Sequence, residues 1–172
     1  CVGAGYVGGP TMTVIAEKCP NMNVTVVDID KNKINLWNDK DFLKIPVFEP
    51  GLIDLLKKVR GRNLFFSNDI ESAIKKADMI FISVNTPIKT KGIGAGKASN
   101  LQWVESCARQ ISALSVGHTI VVEKSTLPVR TAETIKKILI SSEKKGSKSF
   151  SVLSNPEFLS EGNAINDLIN PD

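Results

Sequence analysis

Short apolar runs alternate with amphipathic stretches along this chain, in the manner of buried strands separated by helices. The runs are rich in β-branched and aromatic residues and occupy residues 24–28, 64–67, 79–83, 119–123 and 150–154. We expect a sixth strand at Cys1 and Val2, of which only the last residues are present. Strands that alternate with helices are joined by right-handed crossovers. We therefore predict a doubly wound, mostly parallel α/β sheet with helices on both faces, truncated at both ends.

A glycine-rich turn at residues 3–8 follows the shortened strand and precedes an apolar helical stretch. Gly3 would allow a tight turn, Gly5 a close approach of a pyrophosphate, and Gly8 tight packing of a helix on the sheet. Free amides at the N-terminus of that helix would bind the phosphates. The spacing is typical of a Rossmann-type dinucleotide site, although glycines also gather in ordinary turns.

Asp28 strengthens the prediction of a dinucleotide site at the glycine turn. It ends the apolar run 24–28, about twenty residues after the last glycine, where the fingerprint places an acid that binds the ribose 2′-hydroxyl. An acid that merely ends a strand is the alternative. Because a carboxylate repels a 2′-phosphate, Asp28 favours NAD over NADP, and the nearby Lys31 and Lys33 weaken that preference.

Composition and charge limit the classes of partner that we expect for this chain. Its 172 residues are 42% apolar and 23% charged, which suits one core and one domain with a stub. The net charge of +4 comes from lysines scattered over predicted helices without interleaved aromatic residues, so we expect no nucleic-acid partner. No apolar run is long enough to span a membrane, and the start does not resemble a signal peptide, so we expect no membrane partner.

The three cysteines are Cys1, Cys19 and Cys107, and they are widely spaced with no C-x-x-C pair. Such a set argues against a zinc site or a disulfide framework, and no metal is expected. Free thiols are typical of a reducing compartment, so we expect a cytoplasmic protein.

Polar clusters follow three of the predicted strands, at residues 84–87, 123–130 and 154–162. Each is punctuated by proline, and a plain turn is the alternative for each one singly. The carboxyl ends of parallel strands share one edge, so we expect these clusters beside the glycine turn. The connections 39–50 and 85–98 are long for a compact domain, which is typical of functional or mobile loops.

These motifs resemble one family, the nucleotide-sugar 6-dehydrogenases, and best match the members that oxidise UDP-glucose. The resemblance runs through residues 3–10, 26–28, 49–52, 81–87, 124–130 and 155–162. It implies a two-step, NAD-dependent oxidation of the sugar C6 alcohol to a carboxylate, through a thioester on an enzyme cysteine. It also implies a homo-oligomer when the protein is full length.

The resemblance implies roles for individual residues. Glu157 would bind the substrate region and serve as the general base of thioester hydrolysis, while Thr126 would help to hold the attacking water. Lys33 is an arginine in close relatives, and a lysine keeps the charge but loses the planar fork. The implied substrate-binding residues are Glu157, Phe158, Leu159, Ser160 and Glu161. The implied cofactor-binding residues are Gly3, Ala4, Gly5, Tyr6, Val7, Gly8, Asp28, Lys33, Val84, Asn85, Thr86, Pro87, Ile88, Ser125, Thr126, Leu127 and Glu161.

Glu157 suits the role of base on physical grounds. A base must reach a water, and partial desolvation by Phe158 and Leu159 would raise the pKa of its carboxyl towards working pH. Pro156 fixes the turn that precedes it. The alternative is an acid favoured only by the dipole at the start of a helix.

By this reading, residues 1–154 form an NAD-binding domain, and residues 155–172 begin a connection to an absent central helix and UDP-sugar-binding domain. The family's catalytic cysteine, with an assisting lysine and asparagine, would lie in that absent part. The chain alone is therefore expected to bind NAD weakly and to oxidise nothing. Two alternatives remain open: a relative that acts on UDP-N-acetylmannosamine or GDP-mannose, and a non-catalytic nucleotide-sensing or assembly module.

Overall fold

The computed structural model describes residues 1–91, 95–97, 99–125, 131–141 and 148–170. The chain separates into two compact units. The first contains Cys1–Ile70 and Phe158–Asp172, and the second contains Glu71–Glu157. Within the described residues, no helix is both long and apolar enough to cross a lipid bilayer.

The first unit is built on two parallel strands, β1 (Val24–Val27) and β2 (Leu64–Ser67), with helices packed around them. Strand β1 pairs in register with β2, from Val24 opposite Leu64 to Val27 opposite Ser67. The predicted strand at residues 1 and 2 is present only as a parallel bridge between Val2 and Val27. The elements are α1 (Gly8–Lys18), β1 (Val24–Val27), α2 (Lys31–Asn38), a 3-10 turn (Phe42–Lys44), α3 (Leu52–Val59), β2 (Leu64–Ser67) and α7 (Ala164–Ile169).

Local chemistry explains where these helices start. The Asp30 carboxylate accepts hydrogen bonds from the amides of Asn32 and Lys33, and so caps α2. Gly51 precedes α3 with a φ of 81°, a left-handed conformation that favours glycine. Helix α1 packs against both strands, α3 and α7. The first unit thereby buries an apolar core beneath the glycine turn.

The second unit contains three parallel strands, which lie side by side in the order β3 (Met79–Ile82), β4 (Gly117–Glu123) and β5 (Lys148–Ser154). Helix α5 (Gln102–Leu114) packs on α6 (Thr131–Ser141), and α6 packs on β5. Ile82, Ile111, Val121 and Leu139 are fully buried between these layers. The elements are α4 (Ile70–Lys76), β3 (Met79–Ile82), α5 (Gln102–Leu114), β4 (Gly117–Glu123), α6 (Thr131–Ser141) and β5 (Lys148–Ser154).

All five complete strands lie where the apolar runs predict them, but their bounds differ. Strand β4 begins at Gly117 and β5 at Lys148, two residues before each predicted start. Gly117 pairs with Lys148 and His118 with Ser149. Main-chain pairing extends the ladder through polar positions, which an apolar pattern does not detect.

Candidate functional site: a glycine-lined nucleotide pocket

Each glycine of the opening turn has its own structural reason. Gly3 has a φ of 110°, which favours glycine, and its amide donates to Val27 O at 2.8 Å. A Cβ added at Gly8 would lie 2.0 Å from Gly3 O, so only glycine lets α1 pack this close. A Cβ added at Gly5 would meet nothing within 4 Å. Gly5 therefore faces open space, where a ligand could approach the backbone.

The N-terminus of α1 is suited to an anion. The helix begins at Gly8, and its N-cap residue Val7 makes no side-chain capping bond, although the Gly9 amide donates to Gly5 O at 3.0 Å and Pro10 has no amide hydrogen. Amides at a helix N-terminus and the positive end of the helix dipole together favour phosphate. This is the position that the glycine spacing predicts for a pyrophosphate.

Trp37 supports the glycine turn from α2. Its indole is fully buried, donates from Nε1 to Ala4 O at 2.9 Å, and stacks on Phe66 with ring centroids 4.7 Å apart. A Cβ added at Gly9 would lie 2.2 Å from this ring. Sequence reasoning missed Trp37, although a single tryptophan in a short helix rich in lysine and asparagine is a signal that could have found it.

Asp28 lies beside the glycine turn, as the fingerprint predicts. Its Oδ2 accepts from the Ala4 amide at 2.9 Å and from Lys33 Nζ at 3.1 Å, and its Oδ1 accepts from the Asp30 amide at 3.0 Å. Burial raises the pKa of this carboxyl, but the two amides and Lys33 outweigh burial and hold the pKa below its usual value. Asp28 is therefore ionised at neutral pH.

The turn opens into a cavity of about 570 Å³, a volume within the usual range for a small-molecule site. Five of its lining residues are among the predicted cofactor contacts, and the other five were missed. Four of those five come from the connection 39–50, whose length is typical of functional or mobile loops. The predicted lining residues are Ala4, Gly5, Tyr6, Lys33 and Glu161. The missed lining residues are Pro46, Val47, Phe48, Glu49 and Gly162.

The second unit brings its own three strand ends together, as predicted for parallel strands. Ser125 Oγ donates to Val84 O at 2.9 Å, which joins the ends of β4 and β3. Lys124 Nζ donates to Asn155 Oδ1 at 3.2 Å, which joins the ends of β4 and β5. Ser154 Oγ donates to Glu123 Oε2 at 3.2 Å across the same pair.

Burial shifts the pKa values of two charged groups in this cluster, Glu123 and Lys124. Burial raises the pKa of the Glu123 carboxyl, although Ser154 and Lys124 lower it. Burial lowers the pKa of the Lys124 ammonium, and the negative charges of Glu157 and Glu123 oppose that shift. Glu157 therefore lies near enough to Lys124 for its negative charge to act on the ammonium group.

The predicted cofactor- and substrate-binding residues that have not been described so far are mostly exposed. Val84 and Thr86 are half-buried, whereas Asn85, Pro87 and Ile88 are exposed. Glu157 and Leu159 are half-buried and Ser160 is exposed. Phe158 is 83% exposed, and the desolvation of the Glu157 carboxyl by Phe158 and Leu159 stays a prediction. Thr126 and Leu127 lie outside the described residues.

Comparison with known proteins identifies the class. All of residues 1–172 match the NAD-binding domain of the UDP-glucose/GDP-mannose dehydrogenase family. The chain therefore belongs to this family, and the match confirms the predicted resemblance and NAD as the cofactor of the domain.

One curated relative and two solved structures are similar to this chain over nearly all of its length. The chain is 59% identical to UDP-glucose 6-dehydrogenase 4 of Arabidopsis thaliana over its whole length, which is 35% of that protein. A ternary complex of GDP-mannose dehydrogenase from Pseudomonas aeruginosa matches 99% of this chain and 38% of its own, with TM-score 0.82 and 31% identity. A UDP-glucose dehydrogenase from Pyrobaculum islandicum covers the same shares, with TM-score 0.83 and 30% identity. The neighbours confirm the Rossmann-type α/β fold, and the chain spans about a third of its curated relatives.

Proposed function

We propose that this chain is the cofactor-binding part of a UDP-glucose 6-dehydrogenase. The observation that carries the proposal is its 59% identity, across every residue, with an enzyme of that name. The reaction would convert UDP-glucose, two NAD⁺ and water into UDP-glucuronate and two NADH, with release of protons. NAD would supply the hydride acceptor for both oxidation steps.

The pocket of the first unit fits a dinucleotide. The amides at the start of α1 suit a pyrophosphate, and the ionised Asp28 is an acceptor for ribose hydroxyls. Lys33 and Glu161 line the same pocket and would contact the cofactor. A carboxylate at Asp28 still favours NAD over NADP, and its ion pair with Lys33 weakens that preference.

Glu157 would be the general base that activates water for thioester hydrolysis, with Thr126 helping to hold that water. Lys124 donates to Asn155 Oδ1 at 3.2 Å, two residues before Glu157, and would hold a positive charge near the Glu157 carboxylate. Residues 157–161 would also contact the nucleotide sugar. Most of the substrate pocket would lie in the length of the relatives that this chain does not span.

We expect the thioester-forming cysteine outside residues 1–172. Burial raises the pKa of the Cys107 thiol to about 12, which suppresses the thiolate that a nucleophile requires. Cys1 directly precedes the bridge between Val2 and Val27, and Cys19 is the C-cap of α1.

We further propose that the protein is a cytoplasmic homo-oligomer. Residues 1–154 would form the NAD-binding domain, and residues 155–172 would begin the connection to the rest of the protein.

A rate comparison tests this function. The complete protein would be assayed for NADH formation with UDP-glucose, UDP-N-acetylmannosamine and GDP-mannose, beside the 172-residue chain. We expect the complete protein to use UDP-glucose at least about a hundredfold faster than the other two sugars, because polar pockets reject substrates that leave their groups unpaired. We expect no steady NADH formation from the chain alone.

Faster turnover of either other sugar would replace UDP-glucose as the substrate. Steady NADH formation by the 172-residue chain would show that the nucleophile is already present in it. No turnover of any of the three sugars by the complete protein would favour the non-catalytic nucleotide-sensing module.

A further inference from the structure

Glu49 is a buried carboxylate in the wall of the nucleotide pocket. Only 3% of its surface is exposed, although it lies in the connection between α2 and α3. Its Oε1 accepts from the Tyr6 hydroxyl at 2.6 Å and from the Gly162 amide at 2.9 Å. Its Oε2 accepts from the Ala164 amide at 3.1 Å. One carboxylate thus binds two segments that are far apart in sequence.

This carboxylate is held in its charged form. Burial raises the pKa of Glu49, but the Tyr6 hydroxyl and the two amides outweigh burial and lower the pKa below its usual value. Asp167 acts in the opposite direction through its negative charge. A buried charge is tolerated where hydrogen bonds satisfy it, and these three hydrogen bonds offset the cost of burying the Glu49 carboxylate.

Both segments that Glu49 binds contribute lining to the pocket. Tyr6 belongs to the glycine turn, and Gly162 directly follows Glu161, which lines the same cavity. Gly162 has a φ of 83°, which lets the chain turn sharply at this point. The position of Glu161 relative to the glycine turn therefore depends on the hydrogen bonds to Glu49.

We propose that Glu49 is a positioning residue for NAD, which fixes the glycine turn and the Glu161–Gly162 segment at the spacing that the bound dinucleotide requires. The proposal rests on the proposed function, because it takes this pocket as the cofactor site of a dehydrogenase. A purely structural role is the competing explanation. Two contacts favour this alternative: the main-chain oxygen of Glu49 accepts from the Leu52 amide at the start of α3, and its side chain accepts from the Ala164 amide at the start of α7.

Glu49→Gln in the complete protein separates these explanations. The amide group of glutamine would place an N–H donor against at least one of the three donors, so one hydrogen bond is lost in either orientation. We expect the KM for NAD and the Kd for NAD to rise by about tenfold or more, while kcat at saturating NAD stays within about threefold. The KM for UDP-glucose should not change.

Two further variants sharpen the comparison. Tyr6→Phe removes the hydrogen bond between the glycine turn and Glu49 and keeps the two amide bonds to Glu49, so it should raise the Kd for NAD by less than Glu49→Gln does. Asp167→Asn is the matched control, because Asp167 accepts from the Ser160 amide at 3.0 Å and from Asn163 Nδ2. It holds the same turn without touching the pocket, and we expect it to leave the Kd for NAD within about threefold.

The proposal is overturned if Glu49→Gln lowers kcat and the melting temperature while leaving the KM for NAD unchanged, as a smaller folded fraction would do. It is equally overturned if Asp167→Asn weakens NAD as much as Glu49→Gln does. Should Glu49→Gln fail to fold, an unchanged Kd in Tyr6→Phe overturns it. Titration of NAD needs no turnover, so a wild-type protein that binds NAD without oxidising UDP-glucose would refute the proposed function and still test Glu49.

Discussion

Glu157→Gln in the complete protein is expected to lower kcat for UDP-glucose oxidation by at least about a hundredfold, the usual contribution of a general base. Glutamine keeps the shape of the side chain but cannot take a proton from water. The thioester would then form and persist, so the intact mass of the variant should rise after incubation with UDP-glucose and NAD. Steady-state kinetics and intact-mass spectrometry measure the two effects.

NAD affinity should be unchanged in this variant, because the pocket at the glycine turn does not include Glu157. Glu105→Gln is the matched control, since it is the same substitution on an exposed carboxylate that pairs with Arg109 at 3.2 Å. It should leave kcat within about twofold, because exposed ion pairs contribute little. Near-normal turnover by Glu157→Gln would remove Glu157 from the mechanism.

Gly8→Ala and Gly5→Ala are expected to fail in different ways. A Cβ at Gly8 would lie 2.0 Å from Gly3 O, so the turn or the helix must move. We expect Gly8→Ala to reduce the free energy of unfolding by about 1–3 kcal/mol, a usual cost of overpacking, and to abolish measurable NAD binding. Gly5→Ala has open space for its methyl group, so its stability should match wild type.

The new methyl group of Gly5→Ala would nevertheless occupy the pocket where the pyrophosphate approaches the backbone. We expect its NAD affinity to fall by about tenfold or more with no change in the denaturation midpoint. Urea denaturation and NAD titration separate the two variants. Wild-type NAD affinity in Gly5→Ala would contradict the placement of the pyrophosphate at this turn.

What the sequence predicts correctly here is mainly local. The glycine spacing and the run that ends at Asp28 encode a turn and a strand end, and the structure joins them through the Ala4 amide. The apolar runs locate each complete strand because burial and alternation occur within a few residues. The start of β5 at Lys148 escapes such a pattern because main-chain pairing determines it.

Trp37 and Glu49 escaped sequence reasoning for a different reason. Their roles are contacts with distant residues: Trp37 binds Ala4, and Glu49 binds Gly162 from the other end of the chain. No periodicity or motif spacing encodes such a pair. The motif at residues 49–52 was visible, but only the three-dimensional structure assigns a hydrogen-bonding role to its carboxylate.

The most direct test of the central claim is the yield of NADH per UDP-glucose consumed by the complete protein. The four-electron oxidation that we propose predicts two NADH for each UDP-glucose, with UDP-glucuronate as the product. Absorbance of NADH and chromatography of the nucleotide sugars measure both quantities in one reaction. A yield of one NADH with an aldehyde product, or NADH formation without UDP-glucuronate, would contradict the proposed function.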